Sequence, residues 1–142
     1  MGDAGGDLYL SRSTSNTAST YINGYVNNVR IVKGQSVYPT VVFTPPNAPL
    51  TAVPGTSVLL NVTSPGAYLT DSSINNYTIT KNGPVTYSSN PPTAIGGVLK
   101  FTSSYLTVSD NTVLDMASGD FTIEFWFNST TGTTLYTKSC KF

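Results

Sequence analysis

The stretch that decides the fold is residues 121–128, Phe-Thr-Ile-Glu-Phe-Trp-Phe-Asn. Its aromatic and β-branched content is typical of a strand, and its apolar residues alternate with a period of two. Side chains of a strand point to opposite faces in turn, so the four odd-numbered residues share one face. These four are Phe121, Ile123, Phe125 and Phe127. We expect them to line the core between two packed sheets, with Trp126 on the opposite face.

Shorter segments of the same character lie along the rest of the chain. Further strands are predicted at residues 8–12, 25–32, 57–62, 77–80, 97–101, 105–108 and 136–142. Turn residues separate them, since Asn23-Gly24 predicts a tight turn before the second strand and Asn82-Gly83-Pro84 ends a later one. Helical patterns do not exceed a turn or two. The chain is therefore predicted to be all-β, with an antiparallel β-sandwich as its architecture.

Composition favours the same class and excludes others. The 142 residues suit one domain, and seven basic residues balance seven acidic ones. Charged residues make up only 10 % of the chain, and Ser and Thr together supply about a quarter of it. A neutral chain offers no electrostatic attraction to nucleic acid or to an anionic membrane. Because no run of 18 or more apolar residues exists and residues 1–7 do not resemble a secretion signal, we expect no membrane partner.

Two stretches of the chain resemble the laminin-G-like, or concanavalin-A-like, jelly-roll family. Residues 103–126, with Ser-Gly-Asp before Phe-Thr-Ile-Glu-Phe-Trp, are similar to the opening strands of that fold. Residues 8–31, with Asn-Gly-Tyr-Val-Asn-Asn-Val-Arg-Ile, are similar to its closing strands. Residues 43–52 resemble the junction between repeats in tandem laminin-G-like proteins of marine bacteriophages.

The resemblance implies an unusual order, because closing strands come before opening strands. It divides the chain into closing strands at 1–43, a proline-rich connector at 44–56 and opening strands at 57–142. The middle strands of a complete domain are absent, so the sandwich is expected to be incomplete or permuted. First and last strands of this family are neighbours in space, and the two parts can therefore pack as one domain.

The resemblance also implies a role. It favours a non-enzymatic structural protein of the virion: a decoration, appendage or fibre subunit at the surface or tail of a phage particle, and hence extracellular. Its expected partners are other virion proteins and copies of itself. Because family members also bind glycans, the alternative is a carbohydrate-binding receptor module that attaches to a glycan of the host surface.

Catalytic and metal chemistry find little support in the residues. Glycoside hydrolysis needs two carboxylates, and Glu124 is the only acid of its strand, so it is expected to be solvent-facing or paired across strands. The absence of histidine and the presence of a single cysteine, Cys140, exclude a Ser–His or Cys–His pair and a structural zinc site. Asp110, Asp115 and Asp120 recur every five residues, which suits turn capping better than a rim calcium site. We expect no cofactor, with calcium as the weaker alternative.

Aromatic side chains are the remaining candidates for binding. The interface or glycan contacts predicted from the sequence are Tyr25, Tyr38, Tyr68 and Trp126. A glycan site requires an exposed aromatic beside polar groups in a concave surface, whereas a structural subunit buries its aromatics against a partner.

An incomplete sandwich is also expected to have open edges, which recruit strands from another chain. The stiff proline connector favours an arrangement in which the two parts are held apart and each meets a different partner.

Overall fold

In the computed structural model, which describes residues 4–13, 21–38, 42–90, 96–116, 119–131 and 135–141, the regular structure consists of strands and one 3₁₀ turn. The strands are β1 Ala4–Leu10, β2 Asn23–Lys33, β3 Thr56–Leu60, β4 Ile79–Asn82, β5 Thr86–Ser88, β6 Val98–Thr102, β7 Tyr105–Val108, β8 Phe121–Thr131 and β9 Tyr136–Lys141. The turn is Thr112–Leu114.

The strands form two antiparallel sheets. Sheet A has the order β4-β7-β1-β9, and sheet B has the order β3-β2-β6-β5 with β8 paired to β2. Each sheet contributes alternate apolar residues to one shared core, which includes Leu8 and Leu106 from sheet A and Ile31, Leu60 and Phe101 from sheet B. The predicted all-β sandwich is confirmed.

Strand β2 organises sheet B. Along one edge it pairs with β8 over its whole length, from Asn23 opposite Thr131 to Lys33 opposite Phe121. Along the other edge its first half pairs with β6 and its second half with β3. A bulge at the handover places Asn28 at φ 52°, which asparagine tolerates better than most residues.

The segments before and after the connector interleave within both sheets. Strand β1 lies between β7 and β9. Strand β2 has β8 along one edge, and along its other edge it has first β6 and then β3. The expectation that the connector holds two separate parts apart is therefore wrong. Its stiffness does not separate them, because the hydrogen-bond ladders of both sheets need strands from both sides of the connector.

Only half of the apolar face predicted for β8 is covered. Ile123 and Phe125 pack against the core, as expected, but Phe121 and Phe127 are 50 % and 55 % exposed. The prediction of four core residues is thus half wrong. The reason is position: among the described residues, β2 is the one strand that pairs with β8, and only the middle of the inner face of β8 meets the core.

Two local predictions also need correction. Asn23-Gly24 is not a turn but the start of β2, where a Cβ on Gly24 would lie 2.2 Å from the carbonyl oxygen of Asn128. The glycine is needed for close strand approach rather than for a turn. Strand β1 ends at Leu10 because Ser11 adopts a φ of 74° and its hydroxyl accepts the Ile22 N–H at 3.1 Å.

A buried carboxylate organises the long loop between β3 and β4. Asp71 is 2 % exposed and accepts the backbone N–H groups of Leu59, Ser73 and Tyr77, each at 2.9 Å, together with the Ser73 hydroxyl at 2.8 Å. Both carboxylate oxygens therefore accept two hydrogen bonds from the protein. This arrangement closes the outer edge of β3.

We expect Asp71→Asn to destabilise the fold by about 2 kcal/mol, because either orientation of the amide points an NH₂ group at backbone N–H donors. Chemical denaturation measures the change in the free energy of unfolding. Ser72→Ala, at the exposed neighbour, is the control and should change stability by less than about 0.5 kcal/mol. Equal stability of Asp71→Asn and wild type would contradict the assignment of the carboxylate as the organising group.

Candidate functional site

The register of β2 and β8 places a charge pair on the outer face of sheet B. Arg30 lies directly opposite Glu124, and its Nε and Nη2 approach Glu124 Oε1 at 2.6 and 2.5 Å. The two side chains are only 6 % and 15 % exposed. Of the two alternatives for Glu124, cross-strand pairing is the one that the structure shows.

Tyr38 completes this cluster from the segment that follows β2. Its hydroxyl donates to Glu124 Oε2 at 2.6 Å, and the neighbouring Val37 N–H donates to Thr122 Oγ1 at 3.0 Å. Burial, together with the hydrogen bond to Glu124, raises the pKa of Tyr38 above its ordinary value of 10.0, although the charge of Arg30 opposes the shift. Both oxygens of Glu124 are therefore occupied by partners within the chain.

The connector lies across the same face and covers the charge pair. Arg30 Nη1 donates to the Thr51 carbonyl at 2.7 Å. Asn28 donates to the Ala48 carbonyl at 3.3 Å and accepts the Leu50 N–H at 3.4 Å. A fourth hydrogen bond, from the Lys33 N–H to the Gly55 carbonyl at 2.9 Å, also fastens the proline-rich segment to β2. The segment acts as a cover for Arg30, whose buried charge needs these partners.

A groove of about 360 Å³ runs between the connector and β8. Its walls include Tyr38, Phe43, Pro45 and Pro46 on the connector side and the residues from Thr122 to Trp126 on the strand side. The rings of Tyr38 and Phe43 stack with centroids 4.5 Å apart, and Phe43 is 51 % exposed. Among the described residues, no strand pairs with the edge of β8 opposite β2. The groove therefore follows an open strand edge.

Three of the four predicted contact residues lie on this face. Tyr38 and Trp126 line the groove. Tyr25 is on β2 and lies opposite Asn128 of β8. Together with Trp126 it borders a much smaller cleft. Tyr68 lies apart from them and packs against the core. The structure thus brings together Tyr25, Tyr38 and Trp126 and places Tyr68 elsewhere; a contact role for any of the four stays a prediction.

Sequence reasoning missed an aromatic cluster on the outer face of sheet A. Tyr105 stacks on Tyr21 with ring centroids 5.8 Å apart and meets Tyr9 edge-on at 6.0 Å. The guanidinium of Arg12 lies 5.0 Å from the Tyr9 ring centroid and 4.7 Å from that of Tyr105. Alternation with the buried Leu8 could have placed Tyr9 on this face. The meeting of Tyr9 with Tyr105 depends on the β1–β7 register, which no local pattern reveals.

The spaced aspartates do not converge on one point. Asp110 and Asp115 lie 2.7 and 3.2 Å from the buried ammonium of Lys138, whereas the Asp120 carbonyl accepts the Gly34 N–H. Burial lowers the pKa of Lys138, but hydrogen bonds to Asp110 and Asp115 outweigh it and raise the pKa overall. In the described part of the chain, no three metal-ligating side chains form a group. The cation beside the carboxylates of Asp110 and Asp115 is the ammonium group of Lys138.

We expect Glu124→Gln to lower stability by about 3 kcal/mol, because it leaves the buried Arg30 without a countercharge. The double variant Arg30→Met/Glu124→Met removes both charges and should recover most of that loss. Denaturant titration of the wild type, Arg30→Met, Glu124→Met and the double variant gives the coupling energy. Strictly additive losses would contradict a direct interaction between the pair.

Alkaline pH should weaken the fold through Tyr38. Because the folded chain holds this proton more tightly than the unfolded chain, its contribution is complete below about pH 10 and is lost as pH rises through the folded pKa. In ultraviolet titration, the difference between wild type and Tyr38→Phe should show one tyrosine with a midpoint above 10. In denaturant, the midpoint of this tyrosine, taken from the same comparison of wild type with Tyr38→Phe, should be about 10. Equal midpoints in the two conditions would rule out the shift.

The chain was compared with protein families, curated proteins and solved structures. No protein-family model, curated protein or solved structure matches the chain. In the residues that the structure describes, no helix is long and apolar enough to cross a membrane. The two antiparallel sheets confirm the predicted fold class, and the resemblance to laminin-G-like jelly rolls stays a prediction from the sequence.

Proposed function

We propose that the chain is a non-enzymatic structural subunit of a phage particle that acts through protein–protein contacts along the open edge of β8. The observation that carries the proposal is an 11-residue strand whose free edge borders an aromatic groove. An open edge offers unpaired N–H and C=O groups, and a groove beside it accepts alternate side chains of an added strand. This is the recognition mode known as strand addition.

The other sheet edges in the described part of the chain carry protection that β8 lacks. Strand β5 has three residues, and the edge of β3 is covered by Asp71. Strand β4 contains Lys81 and is followed closely by Pro84, and β9 contains Lys138 and a second lysine. Short length, lysine, proline and covering segments are the usual means of blocking edge pairing. Strand β8 contains no lysine, arginine or proline.

The chemistry of the groove favours a protein strand over a sugar. Sugar recognition requires polar groups that are available to hydroxyls. Glu124 is the charged residue in the groove wall, and its two oxygens already accept hydrogen bonds from Arg30 and Tyr38. The remaining walls are mostly aromatic, proline and aliphatic side chains. Such a surface gains more from apolar and aromatic contact than from hydroxyl groups.

The same pairing supports a role without catalysis, because Arg30 and Tyr38 occupy both oxygens of Glu124 and β8 carries no second carboxylate. The virion setting is supported by the resemblance of residues 43–52 to a phage repeat junction and by the neutral, Ser- and Thr-rich composition. Expected partners are other particle proteins and copies of the chain.

Carbohydrate binding is the second candidate, and one observation favours it. The aromatic cluster of Tyr9, Tyr21 and Tyr105, with Arg12, lies on the outer face of sheet A, where Tyr105 stacks on Tyr21. Aromatic faces with nearby polar groups can hold sugar rings. A panel of host-surface glycans therefore belongs in the test.

The decisive experiment uses the phage whose genome encodes the chain. We expect a tagged wild-type chain to sediment with gradient-purified particles in a fixed copy number that persists at high salt. Trp126→Ala should reduce that copy number severalfold, because it removes a large part of the groove wall. Ile74→Ala is the matched control, since Ile74 is 95 % exposed and lies outside the groove.

Absence of the wild-type chain from particles would refute the structural role. Binding to a defined glycan that is lost on Tyr105→Ala but kept in Trp126→Ala would favour the receptor function instead. Circular dichroism of each variant establishes that the fold is retained.

A further inference from the structure

We infer that the strand added to β8 is β8 of a second copy of this chain, paired antiparallel about a two-fold axis. The inference rests on the proposed function of the β8 edge as a protein contact, and it names the occupant. Two five-stranded B sheets would join into one continuous sheet. A two-fold contact uses the same patch on both copies, so the sequence of β8 must complement itself.

The sequence of β8 meets that requirement when the axis passes through Phe125. Residues 121–129 then face residues 129–121 of the other copy, which gives about eight to ten ladder hydrogen bonds. Phe125 lies opposite its own copy, and Ile123 lies opposite Phe127. Each half-exposed Phe127 therefore gains an apolar neighbour on the same face of the sheet.

Charge selects this register over its neighbour. With the axis at Phe125, Glu124 lies opposite Trp126 of the other copy, whereas an axis at Glu124 would set two carboxylates face to face. Arg30 compensates the charge of Glu124 within each copy. The chain carries seven basic and seven acidic residues, so two copies approach without net repulsion.

The groove gives the second copy room on the outer face. Trp126 and Tyr38 form its walls beside the free edge, and a strand laid along that edge projects alternate side chains toward them. On the inner face, the Phe125 and Phe127 rings already lie 6.0 Å apart. A second pair from the other copy would extend this aromatic row across the axis.

Sedimentation equilibrium of the full chain tests the inference. We expect a dimer, and Phe127→Lys should weaken it by about tenfold or more, because a charge pointing inward on an edge strand blocks pairing. Thr80→Lys places the same residue at an exposed position on the edge strand β4 and should leave the dimer unchanged. Since Phe127 is 55 % exposed, Phe127→Lys should retain the fold, and thermal unfolding checks this.

Disulfide trapping tests the register. In a Cys140→Ser background, Thr122→Cys/Asn128→Cys places each cysteine opposite its counterpart in the other copy. The two positions are about 20 Å apart within one strand, too far for a bridge inside one chain. We expect a covalent dimer that dithiothreitol reverses, and no such dimer from Thr122→Cys alone.

A monomer at every concentration, or a dimer that Phe127→Lys leaves intact, would overturn the inference. A monomeric chain that still enters particles through the groove would leave the proposed function standing with another occupant. A β8-linked dimer that is absent from particles would support the dimer contact and refute the proposed role in the particle.

Discussion

The simultaneous pairing of β2 with three strands is the constraint on which the structure depends. One edge of β2 holds β8 throughout, while the other passes from β6 to β3 within a single strand. A bulge in the β2–β8 ladder lies at the same point of β2, where Asn28 has a φ of 52°, and the closeness of β8 requires Gly24. Because both edges of β2 are occupied, β8 is the outermost strand on its side of sheet B in the part of the chain that the structure describes. The open edge is thus a direct result of how β2 is used.

The sequence predicts the strands well where a local pattern determines them. The alternation in residues 121–128 locates β8, and the strand predicted at residues 25–32 lies within β2. Strand β5 was missed because three residues carry no measurable periodicity. The start of β1 at Ala4 was missed as well, since its glycines have low strand propensity and its ladder with β9 supplies the order.

The candidate site was predictable only in part, for a physical reason. Aromatic type alone suggested Tyr38 and Trp126, and the structure brings them together. The countercharge of Glu124 was not identified, because Arg30 is 94 residues away and the register that joins them is a tertiary property. Tyr68 has the same composition signal as Tyr38 yet packs against the core. A side chain's type indicates what it can bind, whereas strand order decides whether it is available to do so.

The interleaving of the two sheets also determines when the fold can form. The first strand pairs with the last, from Ala4 opposite Lys141, and Asn23 donates a hydrogen bond to Thr131, 108 residues away. Pairings of such long sequence separation form slowly, because loop-closure entropy is lost before native contacts compensate for it. One edge of β2 therefore stays unpaired during synthesis until β8 has left the ribosome, and one edge of β1 stays unpaired until β9 has done so. During that interval these unpaired edges are exposed to pairing with other chains, so folding depends on how soon β8 and β9 follow them out of the ribosome.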